Sequence, residues 1–225
     1  MPTLRPTPGI GTAGPDGGPA DVVRSQAEAA RRARAGVRRF CAANRLNRLG
    51  TLTYAGEGCF DPLQLRADLA GFWRALRRGL GGEPLPYLWV PEWHPGGHGL
   101  HAHFAVAQYV PVTLVRRVWG RGFVSMKLIG DLPVGSGQLE EARTVAGYLA
   151  PYVSKSLGDD HAPGLHRYEV AQGYKPERVQ LAGISDEDVI AQASELMGSE
   201  PVRLWRSSDA EEWHGSPAYW CAWAE

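Results

Sequence analysis

The sequence predicts an α+β protein with a central, largely antiparallel sheet and helices packed on it. Two observations support this fold class. From residue 48 onward, segments with strand-like composition alternate with segments of helical periodicity, in the order β-α-β-β-α-β-α. Two successive strands are also separated only by the turn at residues 95–98, which makes them antiparallel neighbours.

Each predicted element has its own local signal. The β-branched and aromatic composition typical of strands occurs at residues 48–56, 87–94, 99–107 and 123–130. Apolar side chains recur at helical spacing in residues 21–46, 61–80, 111–119 and about 138–157. In the second of these helices, Asp61 is a suitable N-cap and Pro62 occupies the first helical position.

The elements suggest three parts of the chain. Residues 1–20 are rich in Gly and Pro and poor in apolar side chains, so we expect a disordered arm. Residues 21–159 form the predicted domain, and residues 160–225 form a less regular extension that we expect to pack on it. That extension contains a predicted helix at 185–197 and a short strand near 202–206. We expect its four tryptophans to be packed rather than to stack on bases: Trp205, Trp213, Trp220 and Trp223.

Bulk composition limits the possible functions. The content of 44% hydrophobic and 21% charged residues is ordinary for a soluble globular protein. The formal net charge is zero, so DNA binding must depend on local basic patches. Three scattered cysteines fit neither a disulfide framework nor a zinc cluster and indicate a reducing cytoplasm. No apolar run is long enough to span a bilayer, so we expect a soluble, cytoplasmic protein.

The first predicted helix is strongly basic. Two interpretations stay open: a solvated helix face, or a stripe that contacts DNA, because guanidinium groups bind phosphate oxygens bidentately. Arg38 and Arg39 are our candidate DNA contacts on this helix. The full set of arginines is Arg24, Arg31, Arg32, Arg34, Arg38, Arg39 and Arg45.

His101 and His103 are candidate metal ligands. They lie two residues apart on a predicted strand, so their side chains share one face of the sheet. If the turn at 95–98 closes a simple hairpin, Glu92 lies directly opposite His101 on that same face. The resulting set of two histidines and one carboxylate suits catalysis with Mg²⁺ or Mn²⁺. A register shift of one residue would turn Glu92 away from the histidines.

Two further histidines flank the turn. His94 and His98 are alternative ligands, but a solvated turn histidine is the simpler interpretation of each. Because a single His-x-His motif is common by chance, the metal hypothesis depends on Glu92 rather than on the number of histidines.

The last predicted helix contains a candidate nucleophile. Tyr148, Tyr152 and Lys155 follow one another at i, i+4 and i+7 and therefore lie on one stripe of the helix. A phenol is a weak nucleophile at neutral pH, and a nearby lysine or metal ion can activate it or its target. The tyrosines could equally be packing residues with polar tips. Pro151 is expected to kink the helix between them.

These motifs, in this order and spacing, resemble those of the HUH endonucleases, and in particular the rolling-circle replication initiators of bacterial plasmids, integrative elements and phages. The resemblance covers roughly residues 45–160. It matches Thr51 and Thr53 to the first motif, a Thr-rich strand, and they are candidate DNA contacts. It matches His101 and His103 to the second motif, and Tyr152 and Lys155 to the third. Glu92 corresponds to the acidic residue that often completes the metal site. The implied fold is the ferredoxin-like arrangement β-α-β-β-α-β-α.

The resemblance implies a function. A metal-dependent nickase would cut single-stranded origin DNA through attack by tyrosine, leaving a 5′-phosphotyrosine and a free 3′-hydroxyl. Tyr148 would be a possible second nucleophile, although Pro151 stands where a Tyr-x-x-Lys motif at Tyr148 requires lysine. The sequence lacks a Walker A loop, so a host helicase would unwind the DNA and a host polymerase would extend the 3′ end. Whether the protein is a monomer or a dimer stays open.

Four other interpretations share parts of the pattern. A relaxase usually has its tyrosine before the histidines and a third histidine, and a transposase has a different motif around its tyrosine. A non-catalytic origin-binding module would bind DNA but would form no covalent adduct. A small α/β domain with structural histidines is the interpretation that remains if Glu92 does not face His101.

Overall fold

The computed structural model describes residues 19–128, 137–155, 165–211, 213 and 217–223. The chain divides into two compact units, Met1–Pro176 and Glu177–Glu225. The elements of the first unit are α1 (Pro19–Ala43), β1 (Arg48–Tyr54), α2 (Pro62–Gly79), β2 (Tyr87–Trp93), β3 (Leu100–Val106), α3 (Val112–Trp119), β4 (Gly122–Leu128), α4 (Gly137–Lys155) and β5 (Glu169–Val170).

The first unit is built on one five-stranded sheet with the order β4-β1-β3-β2-β5. Every pairing in it is antiparallel. The predicted α+β class with helices on an antiparallel sheet is therefore confirmed. The two-residue strand β5, which extends the sheet beside β2, was not predicted, because two residues are too few to show an alternating pattern.

The sheet separates two apolar layers, because successive side chains of a strand point to opposite faces. On one face, α2 and α3 pack against residues such as Leu52, Trp89 and Phe104. On the other face, α1 and α4 pack against residues such as Leu49, Val90 and Ala105. His101 and His103 alternate with Ala102 and Phe104 along β3, so both histidines lie on the face that α1 and α4 cover.

The start of α2 follows the sequence prediction. Asp61 is the N-cap, and its carboxylate accepts a hydrogen bond from the backbone N–H of Leu63 at 2.8 Å. Pro62 begins the helix, where its missing N–H costs nothing. Asp61 therefore satisfies one of the backbone donors that a helix N-terminus leaves unpaired.

A buried carboxylate connects α2 to the ends of two strands. The hydroxyl of Tyr54, at the end of β1, donates to Oδ2 of Asp68 at 2.9 Å. Arg121, just before β4, forms an ion pair with Oδ1 of Asp68 at 2.8 Å. Both oxygens of this buried side chain thus have partners, as the burial of a charge requires.

The second unit contains α5 (Asp186–Met197), β6 (Arg203–Arg206) and β7 (Tyr219–Ala222), and β6 and β7 pair as antiparallel strands. The helix and the first strand were predicted; β7 was not. The tryptophans are less packed than we expected, since Trp205 and Trp213 are each 37% exposed and Trp220 is 45% exposed. Trp223 donates its indole N–H to the carbonyl of Ser199 at 2.8 Å.

The predicted disordered arm falls largely on residues 1–18, which lie outside the described residues. Within the described part of the chain, no helix has the length and apolar character needed to cross a membrane.

Candidate active site

The hairpin of β2 and β3 has the simple register that the turn predicts. The backbone N–H of His94 donates to the carbonyl of Gly99 at 2.8 Å, which closes the turn. From there the antiparallel pairing continues residue by residue along β2 and β3 and places Glu92 directly opposite His101. The hypothesis of a metal site depended on this register, and the register is the one observed in the structure.

Glu92, His101 and His103 converge on one point. Oε2 of Glu92 lies 2.9 Å from Nε2 of His101 and 2.8 Å from Nε2 of His103. One ligand atom from each residue lies within 4.8 Å of the other two. The three side chains are about nine-tenths buried. Two imidazole nitrogens and a carboxylate oxygen at this spacing are a donor set that a divalent metal ion can use.

Thr51 holds one of these ligands from the neighbouring strand. It pairs with His103 across β1 and β3, and its Oγ1 lies 3.1 Å from Nδ1 of His103. A hydroxyl that accepts from Nδ1–H selects the tautomer in which the Nε2 lone pair is free for a metal. Thr53 lies two residues further along β1, opposite His101. The donor set and this supporting contact both fit a bound metal ion.

The turn histidines lie beside the cluster. Nδ1 of His94 accepts a hydrogen bond from the backbone N–H of Gly96 at 2.9 Å, and its ring centre lies 5.3 Å from that of His101. The ring of His98 packs edge-on against His94 at 5.4 Å and is exposed. His94 thus shapes the turn through Nδ1, and the three-residue metal group does not include it.

Tyr152 lies directly against the cluster. Its ring stacks on the ring of His103, with the centroids 4.0 Å apart and the planes inclined by 23°. Tyr148, one helical turn earlier on α4, has its ring centre 5.6 Å from that of Tyr152 and is 48% exposed. The structure therefore brings the stronger candidate nucleophile to the candidate metal ligands and places the second candidate at the more exposed position.

Pro151 lies inside α4, which runs as one helix from Gly137 to Lys155. Proline has no N–H to donate to the carbonyl of Gly147, so the turn between Tyr148 and Tyr152 lacks one helical hydrogen bond. Val145, Leu149 and Val153 are buried in the apolar layer and anchor the helix on both sides of the proline.

The environment of Tyr152 favours its neutral form. Burial raises the pKa of Tyr152 above that of an ordinary phenol, and a hydrogen bond with Tyr148 adds to the effect. The negative charge of Tyr148, when ionised, and that of Glu92 raise this pKa further. In the protein alone, Tyr152 is therefore a protonated phenol near neutral pH, and nearby positive charge would be needed to favour the phenolate.

The other candidates are exposed or have side chains outside the described part of the structure. Lys155 is the last residue of α4, and its side chain lies outside the described part of the structure. Arg38 and Arg39 are exposed on α1, whose buried residues include Val37 and Phe40.

Sequence reasoning missed the role of Thr51 toward His103. From the resemblance, Thr51 and Thr53 are expected only to contact DNA. The contact depends on β1 pairing with β3, between residues more than fifty positions apart. Strand alternation in β1 does indicate which face Thr51 shares, but it does not indicate the neighbouring strand.

Comparison with known proteins gives one match. Among curated proteins and among solved structures, no match to this chain was found. Residues 47–157 match the family model described as Replication-associated protein ORF2/G2P. This segment runs from the start of β1 through α4 and contains the whole Glu92, His101, His103 and Tyr152 cluster. The part of the chain that carries the candidate active site is therefore similar to the Replication-associated protein ORF2/G2P family.

Proposed function

We propose that this protein is a replication initiator that nicks single-stranded origin DNA by tyrosine transesterification. The observation that carries the proposal is the stack of Tyr152 on His103, within a buried set of two histidines and one glutamate. A nucleophile candidate and a metal-ligand set from different elements meet at one place. Similarity of this segment to a replication-associated family supports DNA as the substrate.

Glu92, His101 and His103 would hold the metal ion, for which we propose Mg²⁺ or Mn²⁺. A bound divalent ion would supply Lewis acid chemistry by withdrawing charge from the oxygens of the scissile phosphate. Thr51 would keep His103 in the orientation and tautomer that a ligand needs. The near-complete burial of the three ligands excludes most water from the site and strengthens its electrostatic interactions.

Tyr152 would be the nucleophile. Its phenolic oxygen attacks the phosphorus atom and forms a new P–O bond, and the bond from phosphorus to the 3′ oxygen breaks. The phenol loses a proton in the step and the departing 3′ oxygen gains one, so the products are a 5′-phosphotyrosine and a 3′-hydroxyl. One phosphodiester replaces another, so the strand can be rejoined without ATP.

Neighbouring residues would assist this step. Lys155 would favour the phenolate or the departing oxygen, since it lies one turn after Tyr152 on α4. Tyr148 would be a second nucleophile, and its exposure and its contact with Tyr152 support access to the same DNA strand. Thr53 and the exposed Arg38 and Arg39 would contact the DNA. A host helicase and polymerase would complete a round of rolling-circle replication.

The test is covalent adduct formation on single-stranded origin DNA in the presence of Mn²⁺. We expect a band that resists denaturation with the full-length protein, and none with Tyr152→Phe. Tyr109→Phe, which alters an exposed tyrosine that follows β3, is the matched control and should form the adduct as the unmodified protein does. Adduct formation by Tyr152→Phe at the unmodified rate would refute the assignment of the nucleophile.

Mass spectrometry of the adduct identifies the attacking residue directly. Trypsin cleaves after Arg143 and Lys155, so both candidate tyrosines fall in one peptide, TVAGYLAPYVSK. Fragment ions between Tyr148 and Tyr152 separate the two sites. We expect the nucleotide mass on Tyr152; a nucleotide on Tyr148 alone would reverse the two roles.

A further inference from the structure

A groove of about 680 Å³ lies along α2, on the face of the sheet away from the candidate active site. Its walls are α2, the side chains of Tyr87 and Trp89 on β2, and residues 169–172 and 174 at the edge of the sheet. Strand β2 contributes to both the groove and the candidate active site, through side chains on opposite faces of the sheet. Trp89 packs in the same apolar layer as α2, whereas Val90 packs in the same layer as α4. Glu92 shares the face of Val90, so the groove and the metal ligands lie on opposite faces.

Four arginines of α2 line this groove: Arg66, Arg74, Arg77 and Arg78. Arg66 forms an ion pair with Glu169 at 2.9 Å. The other three have no ion pair with any described residue. The groove therefore carries a local surplus of positive charge in a protein whose formal net charge is zero.

The three arginines without an acidic partner are concentrated in one turn of α2. Arg74, Arg77 and Arg78 stand at i, i+3 and i+4, where like charges on a helix repel one another. This arrangement is unfavourable in the protein alone, and an anion bound between the guanidinium groups would relieve the repulsion. Arg74 and Arg77 also act on Tyr87, because each opposes the rise in its pKa that burial causes. Their charges are thus near the aromatic wall of the groove.

The aromatic wall of the groove provides a rigid support. The ring of Tyr87 stacks on that of Trp73, with the centroids 3.8 Å apart and the planes inclined by only 3°. Trp73 is buried, and its indole N–H has no acceptor among the described residues. This nitrogen has no access to solvent, so the rigid stacked surface, and not the indole N–H, is what the wall offers to a ligand.

We propose that this arginine groove, defined by Arg74, Arg77 and Arg78, binds the phosphate backbone of DNA at a segment separate from the one in the active site. Arginine suits phosphate because its planar donors bind two oxygens at once. The inference rests on the proposed function, because it concerns the DNA on which the nickase would act. It adds a second contact that would hold the origin through its backbone, without reading base sequence.

The experiment compares two charge-matched double variants of the full-length protein. Arg74→Gln with Arg77→Gln removes two charges from the groove, and Arg116→Gln with Arg117→Gln removes two exposed charges from α3. Binding is measured by fluorescence anisotropy on labelled origin DNA of roughly 30 nucleotides, single-stranded and duplex, over a range of salt concentrations without divalent metal. Circular dichroism shows that each variant is folded.

We expect the groove variant to weaken binding about tenfold near 0.15 M salt and to lower the slope of log K against log salt by roughly 1.4 to 1.8. The α3 variant should bind within about twofold of the unmodified protein, since single surface charges away from the contact add little. Arg74→Lys with Arg77→Lys keeps both charges and should restore the salt slope but only part of the affinity, because lysine cannot bind two phosphate oxygens at once. The groove binds whichever form of DNA, single-stranded or duplex, shows the larger loss of affinity in the groove variant.

Two results would overturn the groove assignment: equal weakening by the groove and α3 variants, or no weakening by the groove variant on either form of DNA. These results are distinct from failure of the proposed function. A protein that forms no covalent adduct but shows the groove-specific loss of binding would refute the nickase and keep the groove. A protein that forms the adduct but shows no groove-specific loss of binding would refute the groove and keep the nickase.

Discussion

The ring of Tyr152 stacks on the ring of His103, although α4 and β3 are separated in the chain by α3 and β4. His103 contacts three functional candidates at once: Tyr152 through its ring face, Glu92 through Nε2 and Thr51 through Nδ1. The nucleophile candidate, the acidic ligand and the supporting hydroxyl thus meet at one histidine. Single substitutions of these residues can therefore measure their separate contributions.

Glu92 should set the metal requirement of the reaction. Glu92→Gln keeps the size of the side chain but removes its charge, so the metal concentration that gives half-maximal adduct formation should rise more than about tenfold. Mn²⁺ should act at lower concentration than Mg²⁺, because two of the three ligands are imidazoles. The exposed Glu83→Gln is the matched control. An unchanged metal titration for Glu92→Gln would remove Glu92 from the site.

Thr51 should act on the metal through His103. Thr51→Val keeps the branched shape but loses the hydroxyl, so apparent metal affinity should fall about tenfold, the typical effect of a group that orients a ligand. Thr51→Ser restores the hydroxyl and should restore the affinity. Thr53→Val is the comparison on the same strand. If Thr51→Ser is as weak as Thr51→Val, the hydroxyl contact is not the cause.

Tyr54 should make the protein sensitive to alkaline pH. Burial, and next the hydrogen bond to Asp68, raise the pKa of Tyr54 above the ordinary phenol value. Above about pH 10 the unfolded chain would release this proton while the folded protein keeps it, so the free energy of unfolding falls as pH rises. Tyr54→Phe should be less stable by about 1–2 kcal/mol at pH 8, owing to the lost hydrogen bond.

The measurement is urea unfolding at several pH values from 8 to about 11. Tyr54→Phe should lose less stability over the alkaline part of this range than the unmodified protein does. The exposed Tyr109→Phe is the control and should keep the original pH dependence. The same steep loss in Tyr54→Phe would assign the alkaline sensitivity to other groups.

Asp61 should stabilise the protein through the start of α2. Asp61→Ala removes the acceptor for the Leu63 N–H and should lower the free energy of unfolding by about 1 kcal/mol. Asp61→Asn keeps an acceptor oxygen and should lose much less. Because Asp61 is exposed, no cavity effect contributes. Equal stabilities of the Ala and Asn variants would show that the cap contributes little.

Part of the site could be predicted from sequence because it depends on local geometry. The turn at 95–98 is short enough to set the register of β2 and β3, and alternation along the strands then places Glu92, His101 and His103 on one face. Helical spacing likewise placed Tyr148 and Tyr152 on one stripe of α4. These relationships involve neighbours within about one hairpin or a few turns of helix.

By itself, the sequence determined the fold class, most element boundaries and the three candidate metal ligands, because each follows from periodicity, turn length or residue chemistry. Only the tertiary structure decided that Thr51 supports His103, that Tyr152 stacks on it, and that α2 and β5 enclose the arginine groove. These contacts join segments far apart in the chain. They depend on strand order and helix packing, which no local period encodes.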